Sequence, residues 1–351
     1  MSELSGTASP SPGRVSTSDT LVVGSGIAGL ACARALHDAG VAVRVVDRGR
    51  VVGGRLASKR LDDRPVDIGA RYFTVPDGSG FASVVDDWIT RGLVRPWTDT
   101  FWVYATDGSH EPKSGPMRYA APAGLRSLAT DLADRLQADG VPLDQEVDVA
   151  GIPEGGDVLG SRYDTVVLAM PDPQAKRMLL PGSIAAASLA DAGDWQPTIT
   201  VVARWRERLW PADLHGAFVD GSEVLAFVAD DGDRRGDGAP VLVAHTTAPF
   251  ARAHLEHPES AVAPVVEAVG ALLGLSEAPV STSAHRWTFS SPATQHPDLF
   301  LLSGGDGAAP GRTDRAGGVR VGVCGDAWGA RSAVSTAWES GTALGQALAQ
   351  P

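Results

Sequence analysis

The chain has 351 residues, 43% of them hydrophobic and 21% charged, a globular composition with material for about two domains. Its 42 acidic against 30 basic residues give a formal net charge of -12, which disfavours general binding to nucleic acid or to anionic membranes. No window approaches ~18 uninterrupted apolar residues, so a transmembrane helix is excluded.

Two cysteines, Cys32 and Cys324, support neither a metal cluster nor a secreted disulfide framework. The opening residues have neither the basic nor the apolar region of a secretory signal, and the expected address is the cytoplasm. Residues 1–18, rich in Ser, Thr, Gly and Pro, read as a disordered tail. Residues 20–23 form a short apolar run ending in glycine, residues 27–40 an Ala-rich helix stopped by Gly40, and residues 41–47 a second strand. This strand, glycine turn, helix and strand make a βαβ unit and imply a parallel sheet.

Further on, helices are predicted over 81–92 and 124–138, and strands over 97–104 and 164–170. Between 198 and 245, short strand-like runs (199–205, 224–228, 241–245) alternate with turns, a change of grammar that marks a second domain. A helix over 258–273 follows. The first grammar returns with a strand ending in Gly325-Asp326 and a closing helix over 333–350; residues 303–318 read as a loop.

Gly24-Ser-Gly-Ile-Ala-Gly29 is a G-x-G-x-x-G between a strand and a helix, with Asp47 ending the next strand. In that setting Gly24 makes the tight turn, Gly26 lets the backbone approach a pyrophosphate, and Gly29 packs helix on strand. Asp47 would accept hydrogen bonds from a ribose, and the helix N-terminus would face the pyrophosphate. A dinucleotide site is the strongest functional signal in the sequence.

Beyond Asp47 and Arg48, Val51-Val-Gly-Gly-Arg55 resembles the second fingerprint of amine-oxidase-type FAD enzymes. Asp67-Ile-Gly-Ala-Arg-Tyr-Phe-Thr74 resembles their flavin-side segment, and Val323-Cys-Gly-Asp326 their C-terminal Gly-Asp. More narrowly, Gly53-Gly-Arg-Leu-Ala-Ser-Lys-Arg60, Ala284-His-Arg-Trp287, Val241-Leu-Val-Ala-His-Thr-Thr247 and Ala337-Trp-Glu-Ser-Gly341 are similar to segments of the renalases. The likeness runs from about residue 20 to 350. It departs at Arg71, where glutamine or histidine is expected, and in the glycine-rich stretch before Val319.

The resemblance implies an α/β fold: a Rossmann-like FAD-binding domain of the p-hydroxybenzoate-hydroxylase type, with an inserted mixed α+β substrate domain. The FAD domain would comprise 19–75, 111–172 and 281–351, and the substrate domain 76–110 with 173–280. Implied cofactor contacts are Gly24, Ser25, Gly26, Ile27, Ala28, Gly29, Asp47, Arg48, Gly54, Arg55, Gly69, Ala70, Arg71, Tyr72, Val147, Gly325, Asp326 and Val334, with FAD held noncovalently and no metal. The implied activity is oxidation of 2- and 6-dihydro-NAD(P) isomers, with hydride passing to flavin N5 and O2 as acceptor forming hydrogen peroxide. An amine oxidase or a desaturase of another small molecule is the alternative.

Only three lysines occur, Lys59, Lys113 and Lys176, and none precedes the Gly-Asp strand closely enough to supply the lysine that many flavin amine oxidases place near N5. Candidate substrate contacts are Tyr72, His245, Trp287 and Trp338. The two tryptophans read equally as platforms for a nicotinamide ring or as core aromatics. His245 reads as a carboxamide-orienting group or an ordinary strand-end histidine.

Overall fold

In the computed structural model, which describes residues 20–105, 107–189, 194–303 and 318–350, all four residues of the Thr20–Val23 strand are buried. That is the pattern of a strand covered on both faces. It pairs in parallel with Val43–Val46 on one side and Thr165–Leu168 on the other. Leu143–Asp144 and Arg320–Val323 extend the sheet in parallel, and Leu301–Ser303 closes one edge antiparallel. The helix Ile27–Asp38 buries Leu30, Cys32 and Leu36 in one core with Leu344 and Leu348 of the closing helix Val334–Ala349. A Cβ at Gly341 would lie 1.9 Å from the Ala28 carbonyl oxygen, so the two helices approach backbone to backbone. Residues 1–18 and most of the 303–318 loop lie outside the described residues.

The second sheet has eight strands in the order Ser281–Pro292, Trp195–Arg204, Val241–Thr246, Leu225–Asp230, Gly216–Val219, Arg95–Tyr104, His110–Ala120 and Phe73–Thr74. Alternation along these strands sorts the two faces. Ile199, Val201, Ala203, Leu242 and Ala244 face the helix Val262–Leu273 through Val265 and Val269. Val202, Val241 and Val243 face Ala57, Val66 and Ile68 of the dinucleotide half. His245 falls on the second face, opposite Phe227 and Thr200 in the register.

Two of the expected domain boundaries cut through this sheet. His110–Ala120 pairs with Arg95–Tyr104, and Ser281–Pro292 pairs with Trp195–Arg204, so both strands belong with the substrate side instead of the dinucleotide side. The cause is local chemistry. His110–Met117 is exposed along its length and carries charges and two prolines, so it has no apolar alternation to announce a strand. No helix among the described residues is long and apolar enough to cross a membrane. Cys32 and Cys324 are buried free thiols, and burial raises both thiol pKa values, Cys324 to about 12.

Candidate active site

Gly24 turns the chain out of the first strand at φ +118°, with a Cβ position 2.4 Å from the Ala169 carbonyl oxygen. At Gly29 a Cβ would meet the Gly24 carbonyl oxygen at 1.9 Å, which fixes helix against turn. Gly26 is different: nothing lies within 4 Å of its Cβ position. It is the N-cap of the Ile27–Asp38 helix, whose first turn has no side-chain cap and no acidic residue. The free N–H groups and the positive end of the helix dipole therefore meet open space.

Ser25 is fully buried behind this turn. Its N–H and hydroxyl donate to Asp47 Oδ2 at 2.6 and 2.9 Å, while the Gly49 N–H donates to Asp47 Oδ1 at 2.6 Å. Both carboxylate oxygens are thus oriented by short contacts. Ser25 and Gly29 shape the site from behind without lining it.

The paired-glycine segment meets the far end of the chain. Arg55 Nη2 donates to Asp326 Oδ1 at 2.5 Å across 271 residues, and Arg55 Nη1 donates to the Ser290 carbonyl at 3.2 Å. Ser332 Oγ donates to the other Asp326 oxygen. Behind the Gly-Asp turn, buried Asp172 accepts from Trp328 Nε1 at 3.2 Å and pairs with His296 Nε2 at 2.9 Å. Burial still raises its carboxyl pKa against both partners. The His296 ring stacks on Trp328 with centroids 3.8 Å apart.

These pieces border one cleft of about 1520 Å³, larger than the ~300–1,000 Å³ of an ordinary small-molecule site. Of the expected residues, Gly24, Gly26, Ile27, Ala28, Asp47, Arg48, Gly54, Arg55, Gly69, Ala70, Arg71, Tyr72, Val147, Gly325, Asp326 and Val334 line it, as do His245 and Trp287. Trp338 does not. It packs on Phe81 with centroids 5.5 Å apart and belongs to the helical core. Sequence reading missed Thr198, Arg118, Arg177 and Arg331 among the lining residues; they occur singly, and no motif surrounds them.

The cleft's charge opposes that of the chain: seven arginines line it against three aspartates, and no lysine does. His245 is buried and its Nε2 has no hydrogen-bond partner among the described residues. Burial, reinforced by the positive charges of Arg71 and Arg234, holds it well below the usual imidazole range. The Arg71 guanidinium lies over the Phe227 ring at 5.0 Å, and burial lowers its pKa. From below, the Arg234 and Arg235 side chains donate to the carbonyls of Arg71 (2.8 Å) and Ala121 (3.0 Å). These two arginines surround the buried carboxylate of Asp231.

The sequence model described as flavin containing amine oxidoreductase matches residues 114–348, and that of the NAD(P)-binding Rossmann-like domain matches residues 22–88. Similar solved structures include a putative protoporphyrinogen oxidase from Exiguobacterium sp. 255-15, at TM-score 0.72 and 14% identity over 96% of this chain and 99% of that one. Cyclohexylamine oxidase from Brevibacterium oxydans IH-35A matches at TM-score 0.68 and 14% identity over 95% and 99%. A putrescine oxidase variant matches at 0.68 and 15% over 94% and 98%. At these identities the likeness is one of fold.

Proposed function

Because the chain belongs to the flavin containing amine oxidoreductase family and is an FAD-dependent oxidoreductase, we propose that its substrates are the 2- and 6-dihydro isomers of NAD(P), oxidised to NAD(P)+ as in the renalases it resembles. The observation that carries this reading is the charge of the cleft, seven arginines against three aspartates in a chain of net charge -12. Such a lining suits a second phosphate-bearing molecule beside the cofactor and repels a protonated amine.

Three features fit FAD, held noncovalently. The open space at Gly26 faces the uncapped helix N-terminus, where a pyrophosphate is stabilised. Asp47 is oriented toward the cleft by Ser25 and Gly49, ready to accept ribose hydroxyls. The buried Asp326 carboxylate, fixed by Arg55 and Ser332, borders the same space at the Gly-Asp turn. Bound FAD supplies a two-electron acceptor whose electrons then pass to O2, giving hydrogen peroxide.

The chain's own residues have limited work to do. A dihydropyridine ring expels hydride as its nitrogen lone pair restores aromaticity, so no side chain need remove a proton; the absence of lysine from the cleft agrees with that. The overall balance is dihydro-NAD(P) plus O2 plus H+ giving NAD(P)+ plus hydrogen peroxide. Trp287 offers a ring face in the cleft, held by its indole N–H on the Ile68 carbonyl. Neutral His245 borders the same cleft. The expected setting is the cytoplasm, where the free thiols of Cys32 and Cys324 stay reduced.

An amine substrate is the other reading, and the family match is equally consistent with it. The cleft is poorly equipped for an ammonium group. Asp326 is already paired with Arg55, Asp47 is the acid assigned to the cofactor's ribose, and Asp148 is exposed. An anaerobic titration of the FAD-loaded protein with a mixture of dihydro-NAD isomers, followed at the flavin's visible band, tests the proposal. Rapid bleaching reversed by air with peroxide release is expected. Bleaching by amines but not by the isomers would overturn it.

A further inference from the structure

Arg71 belongs to a segment seated against the part of the cleft closed by the Gly-Asp turn. The Ala70 N–H donates to the Arg55 carbonyl at 2.8 Å, and a Cβ at Gly69 would lie 2.0 Å from that same oxygen. Arg55 in turn holds Asp326. The arginines beside and beneath this segment are matched by acids. Arg55 is paired with Asp326, while Arg64, Arg234 and Arg235 share the carboxylates of Asp67, Asp231 and Asp237.

Arg71 is the exception. Among the described residues its half-buried guanidinium makes no hydrogen bond and no ion pair. Withdrawing a cation from water without a counter-ion is costly, and burial lowers its pKa accordingly. Yet its nitrogens are not shut in by the fold, unlike Arg118 Nε and His245 Nε2, which are sealed without partners. The charge is also held in place. The Phe227 ring backs the guanidinium at 5.0 Å, and Arg234 donates to the Arg71 carbonyl at 2.8 Å. An arginine keeps its charge in such a setting where a lysine readily loses it.

Flavin chemistry gives this cation a use. Hydride brings two electrons and one proton: the donor's C–H bond breaks, an N–H bond forms at N5, and the ring system gains one negative charge. Reoxidation passes the two electrons and that proton to O2, which takes one further proton and leaves as hydrogen peroxide, and the ring is neutral again. A fixed positive charge beside the ring favours the charged form over the neutral one without reorganising.

We propose that Arg71 is the counter-charge for reduced FAD: its guanidinium offsets the negative charge that the ring gains with hydride, and so raises the reduction potential of the bound cofactor. The proposal rests on FAD as the cofactor and on hydride as what it accepts. The identity of the hydride donor does not enter.

The test is the reduction potential of the bound FAD, read by anaerobic equilibration of the holoprotein with a reference dye, without substrate and without turnover. Removing one charge near the ring, at an effective dielectric constant of about 20, should weaken the preference for reduced over oxidised FAD by about tenfold or more. For a two-electron couple, tenfold is a fall of about 30 mV. That is the result expected of Arg71→Gln. Arg71→Lys keeps a charge at the position, and its potential should lie nearer to the wild type than to Arg71→Gln.

An unchanged or raised potential in Arg71→Gln would overturn the proposal, and so would equal falls in both variants, which would mark a structural role. If Arg71→Gln holds no FAD, the wild type decides: a potential above that of free FAD supports the counter-charge, and one no higher overturns it. Failure of the dihydro isomers to bleach the flavin would sink only the substrate reading, whereas an unmoved potential would sink only the role of Arg71.

Discussion

The indole N–H of Trp287 donates to the carbonyl oxygen of Ile68 at 2.8 Å, and Thr200 Oγ1 donates to the same oxygen at 2.8 Å. One carbonyl thus joins the segment leading to Arg71 and Tyr72 to two strands of the antiparallel sheet. Geometry in the cleft depends on that junction, because Trp287 and the 69–72 segment both line it. Trp287→Phe keeps an aromatic ring and removes one of the two bonds. A loss of about 0.5–1.5 kcal/mol in unfolding free energy is expected. The kinetic signature is a raised KM for the dihydronicotinamide substrate that exceeds any change in flavin content. An unchanged KM would remove Trp287 from the substrate's surroundings.

Gly26 and Gly29 separate binding from folding. A methyl at Gly29 falls 1.9 Å from the Gly24 carbonyl oxygen and 3.1 Å from the Ala169 Cβ, so Gly29→Ala should fail to give folded protein in quantity. A methyl at Gly26 meets no atom within 4 Å. Gly26→Ala should keep the stability of the FAD-free protein within about 0.5 kcal/mol, the range of substitutions that disturb no contact. It should nevertheless weaken FAD binding by tenfold or more, because the methyl enters the space in front of the helix N-terminus. Fluorimetric FAD titration together with urea unfolding of the apo form checks both halves. Tight FAD binding by Gly26→Ala would place the pyrophosphate elsewhere.

What was legible in the sequence follows from how local its causes are. The Gly24 turn, the Ile27–Asp38 helix and Asp47 fall within one βαβ unit whose periodicity and turn chemistry are complete in themselves. The two-stranded hairpin of Ser58–Leu61 and Arg64–Asp67 is a different matter: it turns through Asp62 and Asp63 at φ 47° and 63°, a pair less telling than Asn-Gly, and so it was not predicted. Asp230-Asp-Gly-Asp-Arg-Arg235 looks like solvated charge. It is buried only because Asp67 and Arg64, far away in the chain, complete its pairing. Trp338 shows the converse: a ring in a family-like motif at helical spacing turned out to be core, since Phe81, outside the motif, decides where it packs.

Asp231 is the centre of that buried network. Its carboxylate is fully buried and meets Arg64 at 2.5 Å, Arg235 at 3.1 Å, and Arg234. Burial pushes its carboxyl pKa up, but Arg234, Arg235 and Arg64 outweigh that and hold it below the usual carboxylate range. Asp231→Asn leaves buried guanidinium groups short of a counter-charge, and a loss of about 3–5 kcal/mol is expected. Arg234 supports the Arg71 carbonyl, so flavin content should fall as well. Chemical denaturation of the variant measures the first effect. A loss under 1 kcal/mol would show that the remaining acid, Asp67, suffices for the cluster.

His245 gives the protein a pH dependence with a definite sign. Its folded-state pKa is well below 6.5 because of burial, Arg71 and Arg234. When the chain unfolds, the imidazole returns to about 6.5. Between those two values the unfolded chain binds a proton that the native protein does not, so stability contributed by neutral His245 is present above about pH 6.5 and is lost as pH falls through the window below it. From pH 7.5 to 5.5 one such group costs about 1 kcal/mol. Other histidines titrate too: His285 is depressed by its own burial, whereas the Asp233 hydrogen bond raises His215 and works in the opposite direction. The informative quantity is therefore the difference between wild type and His245→Gln. Urea unfolding at the two pH values should show the wild type losing about 1 kcal/mol more than the variant on acidification. Equal losses would mean that His245 is protonated in the native protein. It would then add a positive charge beside Arg71, and the chamber would hold two cations instead of one.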